Sequence, residues 1–227
     1  MGRYIQSPAI LLAPRCILEV VGGNSCIWTV PSGITNVSFE LWGGGGAGGP
    51  KCCCYCQSTN GGHGGGYSLK TISTSSGTVF CICAGPGGAR FYCASSATGC
   101  AGATSYVTGT GLSNLCAVGG GGGASGTFYC YYVCTCCGGA AYGGDINMQS
   151  GRTWNKNRGG CNYMAAGGPS PFGGGESYLH YQQCCPYMSC GYDGVYPGGG
   201  GTGIVNCCCD CCGCNGAGAP GLVRITF

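Results

Sequence analysis

The chain has 227 residues, of which 52 are glycine and 25 cysteine, and only 7% carry charge. So little charge, together with 15 tyrosines, excludes a chain kept open by self-repulsion. A net charge of +3 with one Arg158-Gly-Gly element gives no basic stripe for nucleic acid, and no run approaches the ~20 apolar residues of a membrane-spanning helix.

Residues 1–27 stand apart, with apolar stretches at 9–12 and 16–21 and prolines at Pro8 and Pro14. They read as an attachment arm. Pro8, Pro14 and Arg15 interrupt the first stretch before it reaches signal-peptide length, and Gln6 stands where a myristoylation pattern needs Ser or Thr. The expectation is synthesis in a cytoplasm, with any export by a route other than secretion.

Residues 28–227 read as one glycine-rich, cysteine-rich domain in which strands alternate with glycine runs. Val37, Phe39 and Leu41 alternate with polar residues, the period of a strand with one buried face. Residues 67–73 and 78–83 flank Ser75-Ser-Gly77 and read as a hairpin. Residues 104–107, 115–118 and 222–227 complete a small antiparallel sheet. No segment has helical periodicity, so the fold class is mainly β with little or no helix.

Glycine runs occur at 43–49, 61–66, 84–88, 119–126, 138–144, 167–175, 198–203 and 213–221. Ordering each glycine costs roughly 0.5–1 kcal/mol more than alanine, so something must compensate. Bare backbones can pack side by side as polyproline-II-like helices and bond laterally. The irregular spacing rules out a fixed-period solenoid and predicts layered polyglycine segments with long loops at their ends.

Cysteines cluster at Cys52, Cys53, Cys54 and Cys56, and at Cys207, Cys208, Cys209, Cys211, Cys212 and Cys214. A disulfide network formed after leaving a reducing cytosol is one account. Structural Zn or Cu(I) held by C-C, C-x-C and C-x-x-C thiolates is a second, and buried reduced thiols a third. No cofactor is otherwise expected. Six scattered carboxylates and two histidines make no catalytic constellation. His63, inside a glycine run, suits a loop or capping role. Gly43-x-Gly45-x-x-Gly48 matches a dinucleotide fingerprint only formally, without the helix or the acidic residue that would support it. The expectation is a protein that is not an enzyme.

Between shorter glycine runs, residues 145–197 carry Trp154, Tyr163, Phe172, Tyr178, His180, Tyr181, Tyr187, Tyr192 and Tyr196. Rigid aromatic side chains on a glycine scaffold make a candidate contact surface in exposed loops. The same rings could equally pack over glycine backbone as core.

Trp28-Thr-Val-Pro-Ser-Gly33, a strand ending Leu41-Trp-Gly-Gly-Gly-Gly46, Gly64-Gly-Gly-Tyr-Ser-Leu-Lys-Thr-Ile72, Gly77-Thr-Val-Phe80 and the closing Pro220-Gly-Leu-Val-Arg-Ile-Thr-Phe227 stand in a set order. This order resembles the glycine-rich tail-fibre and tail-tip proteins of bacteriophages, over roughly 28–124 and 213–227. The resemblance implies a virion tail component made in the host cytoplasm, extracellular after release. Residues 1–27 would attach it to other tail proteins, and aromatic loops would meet a host polysaccharide or outer-membrane protein. It also implies a homotrimer as an option. A purely structural cap or connector of the tail is the alternative, and a metal-thiolate-binding protein a more distant one. The cysteine content departs from the usual pattern of that family.

Overall fold

Alternating apolar residues build two five-stranded antiparallel sheets that close over one core. The computed structural model describes residues 15–50, 59–91, 98–124, 138–151, 153, 155–158, 162–173, 177–180, 190–204 and 214–227. The first sheet orders β1 (Ile17–Val21), β13 (Leu222–Thr226), β3 (Asn36–Trp42), β4 (Tyr67–Ser73) and β9 (Ile146–Met148). The second orders β2 (Ser25–Thr29), β5 (Val79–Cys83), β6 (Ser105–Gly109), β7 (Leu115–Ala117) and β8 (Ala141–Tyr142). A third sheet joins β10 (Asn155–Arg158), β11 (Asn162–Gly167) and β12 (Ser177–His180). There is no helix among the described residues.

Val37, Phe39, Leu41, Val223 and Ile225 face Phe80, Ile82, Val107, Leu115 and Ala117 across the sandwich. Phe39 and Phe80 are fully buried with ring centroids 5.1 Å apart, and Trp28 stacks on Phe80 at 6.1 Å. Burying such a side chain contributes about 1.5–3 kcal/mol.

Where the strands leave the sandwich, their chains continue as a lattice of extended glycine segments. β3 runs into 43–49, β5 into 84–88 and β7 into 118–124, while 60–66 leads back into β4, 98–104 into β6 and 215–221 into β13. Residues 43–49 lie at the centre. Gly43, Gly46 and Gly49 donate to Gly66, His63 and Asn60 at 2.8–3.0 Å. Gly44 and Ala47 donate to Ala103 and Cys100, and Gly45 and Gly48 to Ala219 and Gly216. The carbonyls of Gly44 and Ala47 accept from Gly120 and Gly123, that of Gly45 from Gly88, and that of Gly46 from Gly201. Each neighbour is thus served by every third residue, which is the three-residue turn of the polyproline-II helix. Paired laterally in this way, buried peptide groups escape the cost of losing water.

The packing leaves no room for side chains at most lattice positions. A Cβ at Gly43, Gly45 or Gly46 would strike the backbone carbonyl of Val118, Gly199 or Gly121. The formal fingerprint Gly43-x-Gly45-x-x-Gly48 therefore exists for backbone packing, not for a phosphate.

Three expectations change. The hairpin is not one: β4 and β5 both form, but β4 pairs with β3 over seven residues and β5 with β2 over five, so the turn at 74–78 crosses between sheets. The arm does not extend to residue 27, because residues 17–21 and 25–29 are paired strands of the two sheets; residues 1–14 lie outside the described residues. His63 occupies no loop. It is 2% exposed inside the lattice, with its N–H donating to Gly121 and its carbonyl accepting from Gly46.

Candidate functional site

The outer face of the first sheet gathers the charged and aromatic side chains. Register places Glu19, Arg224, Glu40, Leu69 and Ile146 in one row across β1, β13, β3, β4 and β9. Val21, Leu222, Trp42, Tyr67 and Met148 form the next. Arg224 lies between two carboxylates, its Nε 2.8 Å from Glu19 and one terminal nitrogen 3.8 Å from Glu40, and its guanidinium stands 5.5 Å from the Trp42 ring centre. Exposed ion pairs of this kind contribute only about 0.2–1 kcal/mol each, so their effect here is to fix direction.

Two turns from the glycine lattice lie over this face. The Trp42 indole N–H donates to the Pro171 carbonyl at 2.8 Å, and Tyr67 meets Trp42 and Phe172 edge-on at 5.0 Å each. The Tyr67 hydroxyl donates to Glu40 at 3.0 Å; burial, then this bond, raises its pKa above the ordinary phenol value. Trp42 and Tyr67 are thereby buried, yet Phe172 remains 72% exposed although its φ is +51°. A left-handed backbone costs a non-glycine residue roughly 1–2 kcal/mol, and here the ring's edge-on contact with Tyr67 leaves most of it in solvent. Phe172 is held out by the turn beneath it. Tyr196, on the second turn, is 43% exposed; partial burial raises its pKa, with Glu19 adding to the rise and Arg224 opposing it. The result is a platform of exposed rings beside oriented carboxylates and a guanidinium, suited to stacking with polar groups at its edge.

The far end of the lattice is finished by polar side chains where backbone partners run out. The Thr59 hydroxyl donates to the Gly49 carbonyl and accepts from Ile204 N–H at 2.8 and 2.7 Å. Asn215 donates to Gly48 and accepts from Phe91 N–H, and Asp193 accepts from Ala217 N–H while pairing with Arg90 at 2.6 Å. A disulfide joins Cys190 to Cys214 there, with Cα atoms 4.8 Å apart. Residues 50, 91 and 204 leave the described lattice at this end, and 59, 98 and 214 re-enter it.

This geometry requires glycine at most lattice positions and ties the lattice to the sandwich strands, and a family model described as a glycine-rich domain matches residues 20–227. The chain belongs to that glycine-rich domain family. No curated protein matches it.

Within the glycine-rich domain, the expected contact residues scatter. Trp154, Tyr181 and Tyr187 lie outside the described residues. Tyr163 falls on β11 opposite Asn157 of β10, and Tyr178 and His180 fall on β12 opposite Ala166 and Met164 of β11. Tyr192 is 58% exposed at the capped end, its N–H bonded to Thr202. Only Tyr196 belongs to the platform, and Phe172 joins it. Trp42, Tyr67, Glu19, Glu40 and Arg224 carry no contact signal in the sequence, because they meet only once four distant strands take their order.

Among the cysteine candidates, Cys214 is in a disulfide, while Cys52, Cys53, Cys54, Cys56, Cys207, Cys208, Cys209, Cys211 and Cys212 lie outside the described residues. Cys16, Cys26, Cys81, Cys83, Cys100 and Cys116 are free thiols, so one bond and not a network joins the described cysteines. No cluster of three metal-ligating side chains exists among the described residues.

Proposed function

We propose that the protein is a structural component of a bacteriophage tail, a tail-fibre or tail-tip protein that touches the host surface and has no enzymatic role. The observation that carries this reading is Phe172, an exposed ring in a strained backbone on a turn anchored by Trp42, beside Tyr196 and the Glu19–Arg224–Glu40 row. Such strain persists where surrounding structure over-determines it, and it clusters at functional sites. A glycine lattice supports the assignment in a second way, as a body whose described segments are joined to one another through backbone hydrogen bonds. The order of strand and glycine motifs adds the likeness to tail proteins. In this reading the chain is made in the host cytoplasm and is extracellular in the released virion.

Purified protein should compete with phage particles for adsorption to host cells. Particles carrying Phe172→Ala with Tyr196→Ala should assemble normally and adsorb at least ~10-fold more slowly. If particles lacking the protein fail to assemble, while the double variant adsorbs normally, the protein is a cap or connector instead.

A further inference from the structure

The Cys190–Cys214 disulfide plays no part in that reading, and its two halves have unlike surroundings. Cys190 is exposed, whereas Cys214 is 3% exposed and its Sγ accepts a hydrogen bond from Arg90 Nη1 at 3.9 Å. The other terminal nitrogen of Arg90 pairs with Asp193 at 2.6 Å, and the same Asp193 oxygen accepts from the Ala217 N–H at 2.7 Å. The guanidinium is thus tied to the backbone just beyond Cys214, with one nitrogen directed at the Cys214 sulfur.

The segments that this bond joins are already held together without it. Gly191 N–H donates to the Cys214 carbonyl and Gly194 N–H to the Ala217 carbonyl, each at 2.8 Å. Tyr192 N–H donates to the Thr202 hydroxyl and Gly216 N–H to the Thr202 carbonyl. None of these contacts passes through sulfur. Opening the disulfide therefore leaves the two cysteines side by side, at a Cα separation of 4.8 Å that suits closing it again, so each stays at high effective concentration for the other.

We propose that Cys190–Cys214 is a thiol-exchange site, at which Cys190 takes up a small thiol of the glutathione class and Cys214 is the leaving group. The incoming thiolate attacks the sulfur of Cys190, the exposed member of the pair, where Gly191 presents no side chain to obstruct it. A new sulfur–sulfur bond forms as the Cys190–Cys214 bond breaks, and the electron pair of the broken bond departs on Cys214 as a thiolate. The Arg90 guanidinium stabilises that thiolate in a position where burial alone would disfavour it, and a more stable leaving thiolate speeds exchange. One thiolate is consumed and one is formed, so no oxidant or reductant enters the step. In the reverse step the Cys214 thiolate attacks the Cys190 sulfur of the mixed disulfide and releases the small thiol. The bond is a reversible attachment point and not a staple.

The test uses full-length oxidised protein whose accessible thiols are first blocked with iodoacetamide. Reduced glutathione is added, and samples are quenched at intervals with excess iodoacetamide in denaturant. Chymotrypsin, which cuts after Tyr187 and Tyr192, releases residues 188–192 with Cys190 as their only cysteine. Early in the reaction glutathione should sit on this peptide and not on Cys214, and desalting the unquenched protein should release it again. In denaturant the preference for Cys190 should vanish, because both sulfurs are then equally reached. Uptake at Cys190 should slow about threefold or more in Arg90→Gln, with Arg90→Lys restoring part of the rate, since charge beside the departing sulfur sets it. A Cys190 thiol already free before glutathione is added, uptake at Cys214 instead, an adduct that survives desalting, or a rate indifferent to Arg90→Gln would each overturn the proposal. The site preference is read in the parent protein, so it decides the matter even if Arg90→Gln folds poorly. No readout depends on host adsorption.

Discussion

Across the sandwich, Phe39, Phe80 and Trp28 hold two sheets apart and fill the space between them. One residue beyond the end of β3, the chain enters a region where backbones touch directly and each bonds to several others. The first region is stabilised by apolar area and adapts to a lost side chain by leaving a cavity. The second is stabilised by peptide hydrogen bonds and cannot accept a gained side chain. A chain can therefore join two cores with opposite mutational tolerance along the same strands.

The sharpest test of this contrast is to add one methyl group to the lattice. Gly45→Ala should destabilise by about 5 kcal/mol or more, enough to prevent folding of an ordinary domain, because its Cβ meets the Gly199 carbonyl. Expression and chemical denaturation would read it. Phe80→Ala, which removes a whole ring from the sandwich, should cost about 3–5 kcal/mol and leave a folded protein. If Gly45→Ala proves the milder of the two, direct backbone packing does not hold the lattice together.

Thr59→Val keeps the shape of the lattice cap but removes both of its hydroxyl bonds, for a loss of about 2 kcal/mol measured by denaturant midpoint. Gly33→Ala should cost about 1–2 kcal/mol for a different reason: its φ is +84°, yet nothing stands within 4 Å of the added carbon. Gly33 thus separates glycine needed for backbone conformation from glycine needed for space.

The smallest effect concerns charge. Hydrogen bonds from Lys70 and from the Thr71 N–H hold the Asp145 carboxyl below its ordinary 3.8. A lowered folded pKa adds stability above the ordinary value that is lost as pH falls through the folded one. Melting temperatures between about pH 5 and pH 2 should therefore fall less steeply in Asp145→Asn than in the parent. Equal slopes would show that the exposed pair contributes nothing.

How much of this was legible depends on whether side chains carried the information. β3 could be read from Val37, Phe39 and Leu41, and β13 from its closing apolar run, because each exposes a two-residue period. β1 and β2 were hidden: Cys26 and Trp28 supply the inward face of β2, and neither stands out in a cysteine-rich chain. Without them, β4 and β5 had only each other as evident partners, and the hairpin reading followed. Glycine layering was legible from composition, but the identity of neighbours was not. A residue without a side chain carries no signal of what it faces. The platform around Phe172 needed strand order, since Glu19, Glu40 and Arg224 are far apart in the chain and adjacent only across β1, β13 and β3.

The lateral bonding of residues 43–49 implies a rule for changes in length. Successive residues point to different neighbours, and only the third returns to the first. Inserting or deleting one residue there would turn all later donors toward the wrong segment, much as a frameshift misreads every codon downstream. Within the lattice, length can change only in threes and only if neighbouring segments change with it. At the end of the described lattice, Thr59 and Asn215 fix that phase with side chains as well as backbone, so a shift of one residue would also pull Thr59 away from Gly49 and Asn215 away from Gly48.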